Sequence, residues 1–409
     1  MIKPKYKASV FIHALVVLTV VLIFVSLFFV IIKSYSLPSN ELSRQIKFER
    51  NKLITIQQAI AITKLHYSSS FKEWPLEHSY FDEVNYTLNS FGNYDMLTLT
   101  FVKEHMRDTV SCHFGYANSE NTVSLYLKDT GIPLKYASSI SIDGTAYLPK
   151  NSSKALNDKK QELIPSGKIT ANRLKSGANF PIDYSTVLFS PSLPENDYNT
   201  LNKSDSLIVS FSSPTQTVHE EEWYGLTYLE GNIIASSFNQ LRVYNDQVLK
   251  NIILQAPVIR IQSGTVLSGV QLFATDSIIL ENGVQLLYPS TLVVKGESAV
   301  IEVKEDALVE GMLLLSTPAQ TPSLRSLTSY ISVEEGATVK GIVISEGGLH
   351  LHGKIKGSGY INQIYNLSQS GFELNYWEKG SILNDSLSNH YASPLYIGNQ
   401  QREIVQWVN

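Results

Sequence analysis

The sequence predicts a mainly β chain with an N-terminal transmembrane helix, an α+β membrane-proximal domain and a C-terminal β-solenoid, or β-helix. Three observations carry that expectation. Val10 to Ile32 is a run of 23 residues with no lysine, arginine or acid, and His13 is its one ionisable side chain. Beyond Tyr94 apolar and polar residues alternate, the period of strands with one buried face. After residue 251 two alternate aliphatics followed three residues later by Gly or Asp recur as a frame.

The apolar run comes first. A hydrocarbon layer about 30 Å thick is crossed by about 20 helical residues rising roughly 1.5 Å each, so Val10, His13, Leu22 and Ile32 are read as a membrane anchor in the lipid bilayer. Lys3, Lys5 and Lys7 precede the run, and Lys33 is the only charge between it and Glu41. That lysine excess places the N-terminus in the cytoplasm and residues 34–409 outside the inner, cytoplasmic membrane. The alternative is a cleaved secretory signal, for which Ser34-Tyr-Ser36 offers a small-x-small site, although such signals carry a shorter apolar core of about 7–15 residues.

The outer residues hold 29 basic and 37 acidic side chains, a formal charge of −8, which disfavours nucleic acid as a partner. A hydrophobic content of 43% with 17% charged residues excludes extended disorder as the main state. Cys112 is the single cysteine, so no internal disulfide forms and the core alone must hold the fold.

Five segments follow from the pattern: 1–38, a stub and anchor; 39–150, a helix with an antiparallel sheet; 151–250, an irregular or β connection; 251–365, the solenoid; and 366–409, a capping segment. After Pro38, the spacing of Leu42, Ile46, Leu53, Ile56 and Ile60 predicts an amphipathic helix. The alternating runs Met96–Phe101, Thr109–Phe114, Thr122–Leu127, Ser139–Ile142 and Gly144–Leu148 predict short antiparallel strands. Residues 151–206 are rich in Asn, Ser and Pro and read as irregular.

The repeat is the most specific signal. Ile259-Arg-Ile261 leads to Gly264, Ile301-Glu-Val303 to Asp306 and Ile331-Ser-Val333 to Gly336, with a weaker copy from Ile278 to Gly283. Ile259, Ile261, Ile301, Val303, Ile331 and Val333 are the predicted core. Gly264, Gly283, Asp306 and Gly336 are the predicted corners, where positive φ is needed. Thr317 to Ser329 would loop out. A β-sandwich with glycine turns alternates too, but does not require the recurrent offset. Phe372 to Trp377 and the tail through Trp407 are expected to cap the last repeat.

Chemistry is sparse in this pattern. His350 and His352 share one strand face and would bind a metal only with a third ligand from a neighbouring repeat; otherwise they are surface residues beside inward Leu349 and Leu351. Asp276, Glu302, Asp306 and Glu310 are scattered rather than clustered, which argues against lyase chemistry. His219-Glu-Glu-Glu222 lacks the second histidine of a zinc protease helix. The expectation is a chain that is not an enzyme, with no catalytic residue and no cofactor.

Two resemblances add to this reading. Lys7-Ala8-Ser9-Val-Phe-Ile-His13 resembles the leader junction of type IV pilins and pseudopilins, with His13 where that family carries a glutamate if cutting follows Ala8. The resemblance implies an accessory, minor-pseudopilin-like component of a pilus or secretion assembly rather than a repeating subunit. Gly92-Asn-Tyr-Asp-Met-Leu-Thr98 and Gly144-Thr-Ala-Tyr-Leu-Pro-Lys150 look like segments of uncharacterised membrane-anchored proteins of Bacteroidota. The repeats of 251–365 resemble bactofilin-type β-helices, which implies architecture more than role. A structural or adhesive envelope protein follows, with other envelope or pilus-assembly proteins as partners and a glycan as a candidate ligand. A carbohydrate-active β-helix enzyme and a polymerising scaffold are the alternatives.

Overall fold

The structure is a computed structural model that describes residues 7–65, 80–117, 123–137, 139–154, 172–184, 187, 205–318, 328–368, 371–384, 391–397 and 401–408. Lys3 and Lys5, and most of the Thr317–Ser329 insertion, lie outside the described residues. Among those described, the chain is mainly β, with one long N-terminal helix and one short second helix. It divides into two compact units.

The first unit holds most of the helix Lys7–Leu65. Its stretch Ile12–Lys33 is long and apolar enough to cross a membrane, and none of it is buried by the chain. The expected boundary at Pro38 is absent, because the helix continues through it. Proline forfeits one N–H bond and crowds the preceding turn, a local cost that 59 helical residues can absorb. The expected apolar stripe also needs correcting. Leu42, Ile46 and Leu53 are exposed, whereas Phe48, Thr55, Ile56 and Ala59 are buried on a neighbouring face. Phe48 meets Phe81 edge-on at 5.3 Å, and Phe81 lies 5.1 Å from Phe101. One large ring supplied the burial that spacing had assigned to three aliphatics. Asp82 accepts from the Glu104 backbone N–H and the Lys103 ammonium, both at 2.7 Å, and these bonds hold its carboxyl below the usual range.

The second unit is built on parallel pairing. Strand Ile253–Ile261 pairs in parallel with Gln271–Leu280, which pairs with Val300–Val303, which pairs with Tyr330–Val333 and so to Thr338–Leu351. The register stacks like on like: Leu241, Ile259, Ile278, Ile301, Ile331, Leu349 and Ile364 form one column. Val243, Ile261, Leu280, Val303, Val333 and Leu351 form the next inward column. Every member of both is buried. Just past the second column, Gly264, Gly283, Asp306 and Gly336 turn the chain with φ of 74°, 70°, 56° and 79°. A Cβ on Gly336 would also stand 2.2 Å from the Asp306 carboxylate, which would have to move aside.

One face of this stack is covered on its outer side as well. Phe273, Val293, Leu314, Ile344 and Tyr360 point away from the main core into a second cluster, where Phe91, Met96, Phe211, Leu395 and Val408 cover them. Such double burial is why Leu292-Val-Val294, Met312-Leu-Leu-Leu315 and Ile342-Val-Ile344 are continuous apolar runs rather than alternating ones.

The order of strands in space departs from the order in sequence. Val123–Leu127 pairs in parallel with Lys354–Ser368, Thr145–Leu148 lies beyond it, and Asn172–Lys175 lies beyond that. Ser381–Leu383 also joins Lys354–Ser368, with Ser141–Asp143 beyond. Thus 123–148 belongs to the parallel stack and not to the antiparallel sheet expected of it. Short alternating strands carry the same pattern in either arrangement, so periodicity could not separate them. Trp407 does not cap the stack: it is half exposed on Arg402–Val408, which runs antiparallel to Met106–Ala117. Trp377 is buried as expected, its indole donating to the Leu351 carbonyl at 3.3 Å. Trp223, closing the short helix Glu220–Trp223, is buried in the main core and donates to the Arg242 carbonyl at 2.8 Å.

Candidate functional site

A cleft of about 530 Å³ opens on the second unit where one column of the stack ends. Leu315, Ser345, Ile361 and Leu127 occupy equivalent positions on four successive paired strands. The next residues along, Ser316, Glu346, Asn362 and Lys128, therefore gather at the edge of the column, and the last three line the cleft. Between Ser345 and Gly348 the register slips, so that Glu346 and Gly347 together oppose the single residue Asn362. This is a bulge, with two residues set against one. A Cβ on Gly347 would lie 2.2 Å from the Ser329 carbonyl, so the bulge needs glycine there. The Asn362 amide donates to the Glu346 carbonyl at 2.8 Å and satisfies the backbone that the bulge frees.

The Glu346 carboxylate is held by three donors: the Ser316 hydroxyl at 2.6 Å, the Thr317 backbone N–H at 3.0 Å, and the Tyr184 hydroxyl. Burial, then the bond to Glu346, pushes the Tyr184 phenol above its ordinary range. The opposite wall is the segment from Gly177 to Tyr184. Its anchor is Tyr126, whose hydroxyl accepts from the Gly177 N–H at 2.8 Å and donates to the Asn179 carbonyl at 2.9 Å. Phe180 stands edge-on to both Tyr126 and Tyr184 and has the Lys128 ammonium 5.8 Å from its ring centre. The Thr130 hydroxyl, also in the lining, is sealed from solvent and has no hydrogen-bond partner.

The site residues read from the sequence lie elsewhere. His350 and His352 are adjacent, with ring centres 4.2 Å apart, and Tyr365 stacks on His350 at 5.3 Å. Burial, then the neighbouring His352, pushes the His350 imidazole down to about 4. Among the described residues no three His, Cys, Asp or Glu side chains converge as a metal site. Asp276 is exposed; Glu302 and Glu334 pair with Lys304 at 3.0 Å, and Glu310 pairs with Lys340 at 2.7 Å. Glu222 accepts from the His219 backbone N–H at 3.4 Å at the start of the short helix. Cys112 is buried, which pushes its thiol up to about 12. His13 is exposed on the long helix.

Sequence reading missed the cleft because its residues converge through register and not through spacing. Glu346 sits 16 residues before Asn362, and Lys128 follows the strand Val123–Leu127, more than 200 residues earlier. One signal was present: Ser345-Glu-Gly-Gly348 interrupts an apolar run, which marks a bulge. No protein-family model, no curated protein and no solved structure matches the chain.

Proposed function

We propose that this chain is a single-pass membrane protein of a bacterial envelope, with its N-terminus in the cytoplasm and residues 34–409 in the periplasm. Its β body is a solenoid, and its role is structural or adhesive rather than enzymatic. An accessory place in a pilus-like or secretion assembly fits the leader-like residues Lys7 to His13. The observation that carries the reading is the Ile12–Lys33 helix, apolar on every side and uncovered by its own chain. Leaving so many large aliphatics in water is strongly unfavourable, at about 25 cal/mol per Å² of apolar surface, so a bilayer or other helices must take them up. The solenoid reading is supported by the in-register parallel columns, which repeat at intervals of 19, 23 and 30 residues from Ile259 to Ile331.

The test is protease treatment of intact spheroplasts combined with carbonate extraction and mass spectrometry of the mature N-terminus. The expected result is a pelleted chain whose residues beyond 33 are digested. Full protection would reverse the orientation, and a soluble product starting near residue 37 would replace the anchor by a cleaved signal. Cutting after Ala8 would support the pilin-like assembly role.

A further inference from the structure

The geometry points to the cleft at Glu346 as the seat for a mono- or disaccharide unit of a neutral glycan, an assignment that rests on reading the β body as an envelope binding surface. The argument begins with charge. Lys128 brings one ammonium and Glu346 one carboxylate to the lining, so the cleft has no cationic excess with which to hold a phosphate or a polyanion. Nor is it an apolar pocket, because amides, hydroxyls and the two charges intersperse with Phe180 and Ile182.

A ligand that satisfies such a lining must present donors and acceptors at close intervals. Sugar hydroxyls do this, since each gives one hydrogen bond and accepts up to two. Glu346 keeps acceptor lone pairs beyond its three internal bonds, and those bonds fix it in place before any ligand arrives. Lys128 has no ion-pair partner among the described residues, which leaves its ammonium able to donate. The Thr130 hydroxyl is buried, unpaired and part of the same wall. Phe180 and Ile182 supply the apolar patch on which the C–H face of a pyranose rests. The volume, about 530 Å³, lies within the range of about 300–1,000 Å³ typical of small-ligand sites.

The experiment uses the full chain in phospholipid nanodiscs, titrated by calorimetry with glucose, galactose, mannose, N-acetylglucosamine and their disaccharides; inorganic phosphate and citrate serve as charged probes. Saturable binding of at least one saccharide is expected, weakened about tenfold or more by Phe180→Ala and by Lys128→Met. Asn179→Ala, on an exposed residue, guards against variants that merely misfold, and near-UV circular dichroism checks all three. Absence of binding across the saccharide panel would overturn the assignment. So would binding that all three variants leave unchanged, or tighter binding of phosphate than of any sugar. A chain that binds sugar but does not pellet with membranes would instead overturn the anchor alone.

Discussion

Glu346 shows how a single residue acquires a role its neighbours in sequence do not announce. It sits at the end of an apolar run, on the outward side of the strand that it shares with Ile344. Strand register sets it beside Asn362 and Lys128, and three donors around its carboxylate hold it at the cleft. His113 is a second case. The alternation of Val110–Phe114 assigned one buried face, yet both Cys112 and His113 are buried because the strand is covered on both sides. The imidazole stacks on Phe91 at 5.6 Å and meets Phe211 edge-on at 5.2 Å, and burial pushes it down to about 4 from an ordinary value of 6.5. The unfolded chain therefore binds a proton that the folded chain refuses between pH 6.5 and 4, and stability falls as the pH drops through that window. His350, shifted the same way, adds to the effect. His113→Phe keeps the ring stacking and removes one of these protons. Melting temperatures at pH 7 and pH 5 should differ by less in the variant than in the parent chain, and an equal difference would show that His113 does not titrate in this way.

At the level of elements, the repeat frame was legible because its cause is local. Aliphatics two apart point inward, and a corner residue with positive φ follows at a fixed offset, so the pattern survives in a single sequence. The helix was legible as two pieces but not in its continuity through Pro38 or in its buried face, since Phe48 and Ala59 do the packing that Leu42, Ile46 and Leu53 had been assigned. What was hidden was the second apolar layer. An outward Phe273 or Leu314 looks like part of an unbroken hydrophobic run, and a run gives no indication of which neighbour covers which side. The columns carry their own test. Ile301→Asp places an unpaired carboxylate between Ile278 and Ile331, both fully buried, and should destabilise the body by about 4 kcal/mol or more. Its neighbour Glu302→Gln, on the solvent side, should cost far less. Urea denaturation followed by far-UV circular dichroism separates the two, and similar midpoints would argue against the inward assignment of Ile301.

Across the whole chain, the residue order and the stacking order disagree, and no reading of periodicity could have found this. Strand Lys354–Ser368 is covered by Val123–Leu127 and Ser381–Leu383, so the boundary drawn at residue 150 cuts through one continuous sheet. Residues 205–368 alone would leave the edge of Lys354–Ser368 unpaired, with Ile355, Tyr360 and Ile361 losing their cover. That fragment should aggregate or run as higher oligomers in gel filtration, whereas residues 80–409 should run as a defined, cooperatively melting species. A monomeric, cooperative 205–368 fragment would show that the early strands add nothing to the stack.

A stack whose far rungs are written at the front of the chain also sets a timetable. The strands from Val123 to Lys175 leave the ribosome before the surface they rest on exists, and they find it only once residue 368 has followed. The β body therefore closes late, after nearly all of the polypeptide has been made. The pairing that joins its early strands to the rest of the stack is therefore among the last that the growing chain can make.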